Sequence, residues 1–353
     1  MDLRFGAVLF NYRIQDMIEK SIRLEQNGFN SIWLTDVLFE GGPDLVLPDV
    51  IPAMTAIGMS TKRILVGTSV IDALSRHPAK LAAATATIDS LLNGRSIFGI
   101  GAGEIINHEP FGISTYDAFT RLRETVQILQ LLWTADSLKP ASFQGKYYAV
   151  RDAYIKIKPS KKPHPPVYLP AFGPKMLAMT GELADGWIPQ GHTPETYCKF
   201  LNGPIKESLA RTGKRFDNFD PANVMVACVS KDREQAAKTA LEIRHWMVWS
   251  PDILRIAAPK LRHPGKRQPY IKSRDKGDIE TQLRLAEEIP RELALRATLW
   301  GTIDDCIQQL ELFIKAGLRH PILFFIPTPN ESVDEMIRIF GSEVIPYFRD
   351  NGP

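Results

Sequence analysis

Eight short apolar segments alternate with longer amphipathic segments, and this alternation constrains the fold more than any other feature of the sequence. Several short segments are almost continuously apolar, which is typical of parallel strands that are covered on both faces. The longer segments repeat apolar residues at helical spacing. Eight strand–helix units predict a (β/α)8 TIM barrel of the α/β class. The predicted strands are Arg4–Phe10, Ser31–Thr35, Ile64–Val70, Ser96–Gly101, Val167–Ala171, Gly186–Pro189, Asn223–Ser230 and Ile322–Ile326.

The alternation is interrupted twice. We expect residues 1–353 to form a single barrel domain, because a barrel uses about 250 residues or more. The first interruption, at about 136–166, predicts a small excursion such as a hairpin. The second, at about 251–297, is longer and carries a basic cluster within residues 260–276. A solvated loop is one interpretation of this cluster, and recognition of a phosphate or a polycarboxylate tail is the other.

Composition and charge exclude several classes of protein. The net charge of +3 is too small to indicate nucleic acid binding. Cys198, Cys228 and Cys306 lie far apart in the chain, so we predict no disulfide framework, no metal site and a reducing environment. No apolar run approaches the roughly 18 residues of a membrane span, and no signal peptide is evident. These observations predict a cytoplasmic protein.

The end of the fourth predicted strand carries the residues best suited to chemistry. The strand runs into Gly101, Ala102 and Gly103, where the backbone can approach a ligand closely, and Glu104 and Asn107 follow. A carboxyl group among apolar residues is partly removed from water, which raises its pKa and lets it donate a proton near neutral pH. We therefore predict a catalytic acid–base role for Glu104. A loop carboxylate in a salt bridge is the alternative.

Other strand ends add further candidates. His77, just before Pro78, is a candidate proton donor, with a polar residue ahead of a helix as the alternative. After the fifth strand, a glycine followed by a proline at a helix start exposes backbone N–H groups, an arrangement that binds anions. Gln190 and His192 end the sixth strand, and we predict that they contact the substrate at the barrel mouth.

These motifs resemble those of the luciferase-like superfamily of flavin and deazaflavin enzymes. The Gly-Ala-Gly-Glu turn with Asn107 is similar to members that use the deazaflavin coenzyme F420. The segment 166–189 extends the resemblance, whereas about 250–297 matches poorly. The similar members include phthiodiolone ketoreductase, F420-dependent glucose-6-phosphate dehydrogenase and methylenetetrahydromethanopterin reductase. The resemblance implies the same barrel fold.

The resemblance also implies how the cofactor is held. Ser69 and Val70 would form a bulge with a non-prolyl cis peptide against the central ring of the cofactor. Its phosphate would lie at the start of the helix after strand five. Asp36 would contact the ring or a neighbouring catalytic group, but Val37 stands where many relatives have a histidine that donates a proton. The implied cofactor-binding residues are Asp36, Ser69, Val70, Gly101, Gly103, Glu104, Asn107, Ala171, Phe172, Gly173, Pro174 and Lys175.

The activity implied is that of an F420-dependent oxidoreductase. Hydride would pass between the deazaflavin and a carbonyl, imine or alcohol carbon of a small-molecule substrate, with Glu104 and possible help from His77 handling the proton. Two alternatives stay open at this point: an FMN-dependent luciferase-like monooxygenase, and a non-catalytic flavin-binding protein of the same fold. A homodimer is expected from the resemblance.

Overall fold

The computed structural model describes residues 3–38, 45–244, 247 and 286–350, with the backbone alone described at Ile105 and Ile106. The strands are β1 (Gly6–Leu9), β2 (Ser31–Leu34), β3 (Leu65–Asp72), β4 (Ser96–Gly101), β5 (Ala141–Gln144), β6 (Ala149–Ala153), β7 (Val167–Leu169), β8 (Gly186–Trp187), β9 (Asp220–Val229), β10 (Leu299–Gly301) and β11 (His320–Phe325). The helices are α1 (Ile14–Gln26), α2 (Val50–Ser60), α3 (Pro78–Leu91), α4 (Ile105–His108), α5 (Ala118–Thr134), α6 (Pro174–Leu183), α7 (Pro194–Phe200), α8 (Lys206–Arg211), α9 (Arg233–Glu242), α10 (Arg291–Arg296), α11 (Ile303–Lys315), α12 (Val333–Ile339) and α13 (Ile345–Asp350).

Eight parallel strands close into a barrel in the order β9-β11-β1-β2-β3-β4-β7-β8, and β8 pairs back with β9. The predicted (β/α)8 barrel is therefore confirmed. Each of its eight strands overlaps a predicted segment, with ends that differ by a few residues. A short further strand, β10, pairs in parallel with the carboxyl end of β9 and was not predicted. Its three residues are too few to give a periodic signal.

The first interruption of the alternation contains an antiparallel hairpin of β5 and β6. Its Lys146–Tyr148 turn is held by the carboxylate of Glu124 on α5, which accepts three backbone N–H bonds at 2.6–3.0 Å. Most of the second predicted interruption, including the basic cluster at 260–276, lies outside the described residues. In the part of the chain that is described, no helix is both long and apolar enough to cross a membrane.

A buried polar network fills the amino-terminal end of the barrel. Asp220 accepts hydrogen bonds from the Tyr168 hydroxyl and from His320 Nδ1 (2.8 Å), and it pairs with Arg4 at 2.5 Å. On its other side, His320 Nε2 lies 2.7 Å from Ser31 Oγ. Burial raises the pKa of Asp220, but His320 and Arg4 outweigh it and hold this pKa well below its ordinary value. Because this end of a barrel contributes to stability rather than to chemistry, we assign the network a structural role.

Candidate active site

A cavity of about 820 Å³ opens at the carboxyl ends of the barrel strands. This is the end at which barrel enzymes place their active sites, and the volume lies within the range of small-molecule sites. The cavity collects many of the residues that were predicted for the site. Those that line it are Asp36, Ser69, Val70, Gly101, Gly103, Glu104, Asn107, Phe172 and Gln190.

The floor of the cavity is built where β3 and β4 pack against each other. The Ser69–Val70 peptide bond is cis, as the resemblance implies, and the strand register shifts between Thr68 and Ile71. The side chain of Val70 lies against β4, where a Cβ on Gly101 would come within 2.6 Å of Val70 Cγ2. Glycine at this position therefore lets the bulged strand lie directly against its neighbour.

The turn that carries Glu104 is anchored from below by a buried pair. His108 Nε2 lies 2.6 Å from Asp72 Oδ2, and both side chains are almost fully buried. Gly103 adopts a φ of +66°, and a Cβ there would come within 2.4 Å of His108 Nε2 and 2.6 Å of Asp72 Oδ1. Burial raises the pKa of Asp72, but His108 together with hydrogen bonds from the Leu74 backbone and from Ser75 outweighs it, so this pKa is lowered. Sequence reasoning missed this pair.

Glu104 and Asn107 take different positions on this turn. Asn107 is buried, and its side-chain oxygen accepts a hydrogen bond from the backbone N–H of Leu38 at 3.0 Å, which ties the turn to the loop after β2. Glu104 lines the cavity with an exposed side chain. The expected partial burial of Glu104 is thus not seen in the described part of the chain, where this residue follows the end of β4.

Asp36 is held by an arginine that sequence reasoning also missed as a site residue. Arg76 contacts both oxygens of Asp36, at 2.5 and 3.1 Å, and reaches Asp49 at 3.0 Å. The backbone N–H of Asp72 donates a further bond to Asp36 at 2.9 Å. Burial raises the pKa of Asp36 above its ordinary value, and the charge of Arg76 offsets only part of that shift. Asp36 and Arg76 therefore form an ion pair on the side of the cavity where β2 and β3 end.

The predicted phosphate region borders the cavity rather than lining it throughout. Gly173 caps α6 and Pro174 is its first residue, and a Cβ on Gly173 would meet no atom within 4 Å. Lys175 is exposed. Ala171 is fully buried and its carbonyl accepts a hydrogen bond from Trp187 Nε1. From this stretch Phe172 and the neighbouring Met176 face the cavity.

Neither candidate histidine is among the residues that line the cavity, so the geometry gives no support to their predicted roles. His77 is exposed, and its Nδ1 accepts a hydrogen bond from the Ala79 N–H at 3.2 Å as the cap of α3. His192 is 1% exposed and packs against Phe172 and Trp187. Burial lowers the pKa of His192 to about 3, so it is a neutral core residue. Gln190 remains as the predicted substrate contact that reaches the cavity.

Comparison with known proteins places this site in a family. The sequence model of the family described as luciferase-like monooxygenase matches residues 8–320. The chain therefore belongs to the luciferase-like family, as its motifs indicate.

Named relatives and a solved structure align over almost the whole chain. F420-dependent glucose-6-phosphate dehydrogenase of Nakamurella multipartita is 29% identical over 361 residues, covering 98% of this chain and 97% of the relative. The 5,10-methylenetetrahydromethanopterin reductase of Archaeoglobus fulgidus is 28% identical, covering 92% and 93%. An F420-dependent secondary alcohol dehydrogenase, solved with an F420–acetone adduct, has a TM-score of 0.80 at 24% identity, with 97% and 98% covered. That structure shows the shared fold.

Proposed function

We propose that this protein is an F420-dependent oxidoreductase that transfers a hydride between the deazaflavin and a carbonyl, imine or alcohol carbon of a small molecule. The observation that carries this function is the placement of Glu104 on the rim of the same cavity that Ser69 and Val70 floor. Support also comes from the relatives, because two enzymes named F420-dependent glucose-6-phosphate dehydrogenase each align with 98% of the chain.

The residues of the cavity fit such a cofactor. The volume of about 820 Å³ is at the upper part of the range for ligand sites, so a flat ring and a substrate can share it. The glycines at 101 and 103 keep side chains away from the floor. The open space at Gly173, ahead of the N–H groups of α6, suits the cofactor phosphate, with Lys175 nearby in sequence. When bound, the deazaflavin supplies the carbon that gives or takes the hydride.

The protein itself orients the reactants and handles the proton. Glu104 Oε would exchange the proton with the substrate oxygen or nitrogen as hydride passes. The Asp72–His108 pair and Asn107 fix the turn that carries this carboxyl group. A bound ring and substrate would exclude water from Glu104 and so would add to the desolvation of its carboxyl group.

Titration of the purified protein with F420 and, separately, with FMN tests this function. We expect F420 to bind at least about tenfold more tightly than FMN, a difference of about 1.4 kcal/mol. Tighter binding of FMN would contradict the proposal and favour the monooxygenase alternative. Tight F420 binding, with no turnover across a screen of ketones, imines and alcohols, would favour the non-catalytic alternative. The homodimer and the cytoplasmic location stay predictions.

A further inference from the structure

The two sides of the cavity differ in chemistry. The polar lining residues concentrate at the ends of β2, β3 and β4, where Asp36, Arg76 and Glu104 lie. The opposite side comes from β9 and β11. In these otherwise buried strands Val226 and Phe324 are only partly buried, and both line the cavity. They therefore present apolar surface to whatever the cavity holds.

This apolar side continues beyond the two strands. Ile243, after α9, and Ile326, after β11, pack in one cluster with Val226 and Phe324, and all four line the cavity. On the other side of Phe324, the ring of Phe10 contacts it edge-on, with centroids 5.8 Å apart. We define these five residues as the apolar wall. A wall of this kind stabilises bound alkyl groups in proportion to the area removed from water.

The charged residues that line the cavity also favour an uncharged substrate. Among the described residues that line it, Arg76 is the one cation. Its guanidinium is already paired with Asp36 and with Asp49. A phosphate group in this part of the cavity would lose its hydration without gaining an ion-pair partner, which is strongly unfavourable. The described lining of this part of the cavity therefore favours an uncharged substrate.

We infer that the substrate is an uncharged alcohol or carbonyl compound with an extended apolar group that lies on the apolar wall. This inference rests on the proposed function and narrows its substrate class. In the oxidation direction, the C–H bond of the carbinol carbon breaks and its hydride passes to the oxidised deazaflavin. The O–H proton passes to the Glu104 carboxylate and the C=O bond forms. Reduction of the carbonyl compound reverses each transfer.

Equilibrium binding of straight-chain methyl ketones of four to ten carbons tests the inference without turnover. Calorimetric titration of the F420-loaded protein is expected to show affinity rising roughly threefold to fourfold for each added methylene. Glucose 6-phosphate is the comparison ligand, and we expect its binding to be weaker than that of the ten-carbon ketone. Affinity that is flat with chain length, or tighter binding of the sugar phosphate, would overturn the inference.

Variants of the wall make the test specific. Phe324→Ala is expected to lower the affinity for the ten-carbon ketone by about tenfold or more and to leave the affinity for F420 unchanged. Val226→Thr, which keeps the side-chain shape, is expected to lower the affinity for the same ketone by a smaller factor. Phe216→Ala, which truncates a phenylalanine outside the cavity lining, is the matched control. Equal ketone affinity in all three variants and the unaltered protein would contradict the inference.

The inference and the proposed function fail in different ways. If F420 binds and the ketones show no dependence on length, the substrate class is wrong and the cofactor assignment stands. If F420 does not bind, the proposed function is wrong, and the ketone series repeated on the protein alone still tests the apolar wall.

Discussion

Replacing Glu104 with glutamine is expected to lower kcat by about 10²–10⁴-fold, the range for loss of a general acid–base. Glutamine keeps the size of the side chain and its ability to hydrogen bond, but it cannot take or give the proton. The anchors of the turn, Asp72 with His108 and the Asn107–Leu38 bond, do not involve the Glu104 carboxyl group. We therefore expect F420 affinity to stay within about twofold, measured by fluorescence titration alongside steady-state rates.

Glu109→Gln is the matched control for this variant. Glu109 follows α4 at the start of a short 3-10 helix and is exposed, but it is not among the residues that line the cavity. We expect its rates to equal those of the unaltered protein. Unchanged kcat in Glu104→Gln would remove Glu104 from the mechanism, and equal losses in both variants would indicate a general disturbance of the loop.

Arg76→Met is expected to lower the free energy of unfolding by about 3 kcal/mol at pH 7, the cost of leaving a buried charge without its partner. The Asp36 side chain is 4% exposed and Arg76 contacts both of its oxygens. Urea denaturation measures the loss. Arg23→Met is the control, because Arg23 pairs with Asp334 on the surface at 50% and 38% exposure. Loss of that pair is expected to cost less than about 1 kcal/mol.

The cost of Arg76→Met depends on pH through Asp36. Burial raises the pKa of Asp36 in the folded protein above its ordinary value of 3.8, so the folded state holds this proton more tightly than the unfolded state. The contribution of Asp36 to stability therefore falls as pH rises through that window. Loss of Arg76 raises the pKa of Asp36 further, so the cost is largest at pH 7 and shrinks toward pH 4.

A second substitution separates the charge from other effects of Arg76. Asp36→Asn removes the unpaired charge, so the double variant Asp36→Asn with Arg76→Met is expected to lose less stability than the sum of the two single variants. Additive losses, or an equal cost of Arg76→Met at pH 4 and pH 7, would show that the pair is not what stabilises this rim.

The fold and the turn that carries Glu104 could be predicted from sequence because their signals are local. Continuous apolar runs such as β4 identify buried parallel strands, and the residue that follows the run is placed at the barrel mouth by the architecture itself. This reasoning led to Glu104 without any knowledge of distant contacts. It also gave the bulge at Ser69 and Val70, through the resemblance of the motif around it.

Residue pairs that the tertiary fold brings together could not be predicted from sequence. Arg76 is 40 residues from Asp36, and His108 is 36 residues from Asp72, so no periodicity links them. The position of His192 outside the cavity lining could not be predicted for a similar reason. A residue a few positions beyond a strand end can face the mouth or turn behind it, and His192 packs against Trp187 in the preceding strand and Phe172 in a separate segment.

The most direct test of hydride transfer uses deuterium as an isotopic label on the cofactor. Reduced F420 carrying two deuterium atoms on its hydride-donating carbon would be mixed with the protein and a long-chain methyl ketone, and the product would be analysed by mass spectrometry and NMR. We predict one deuterium on the carbinol carbon of the alcohol. An alcohol without deuterium at that carbon, or a product formed only with FMN and dioxygen, would contradict the account.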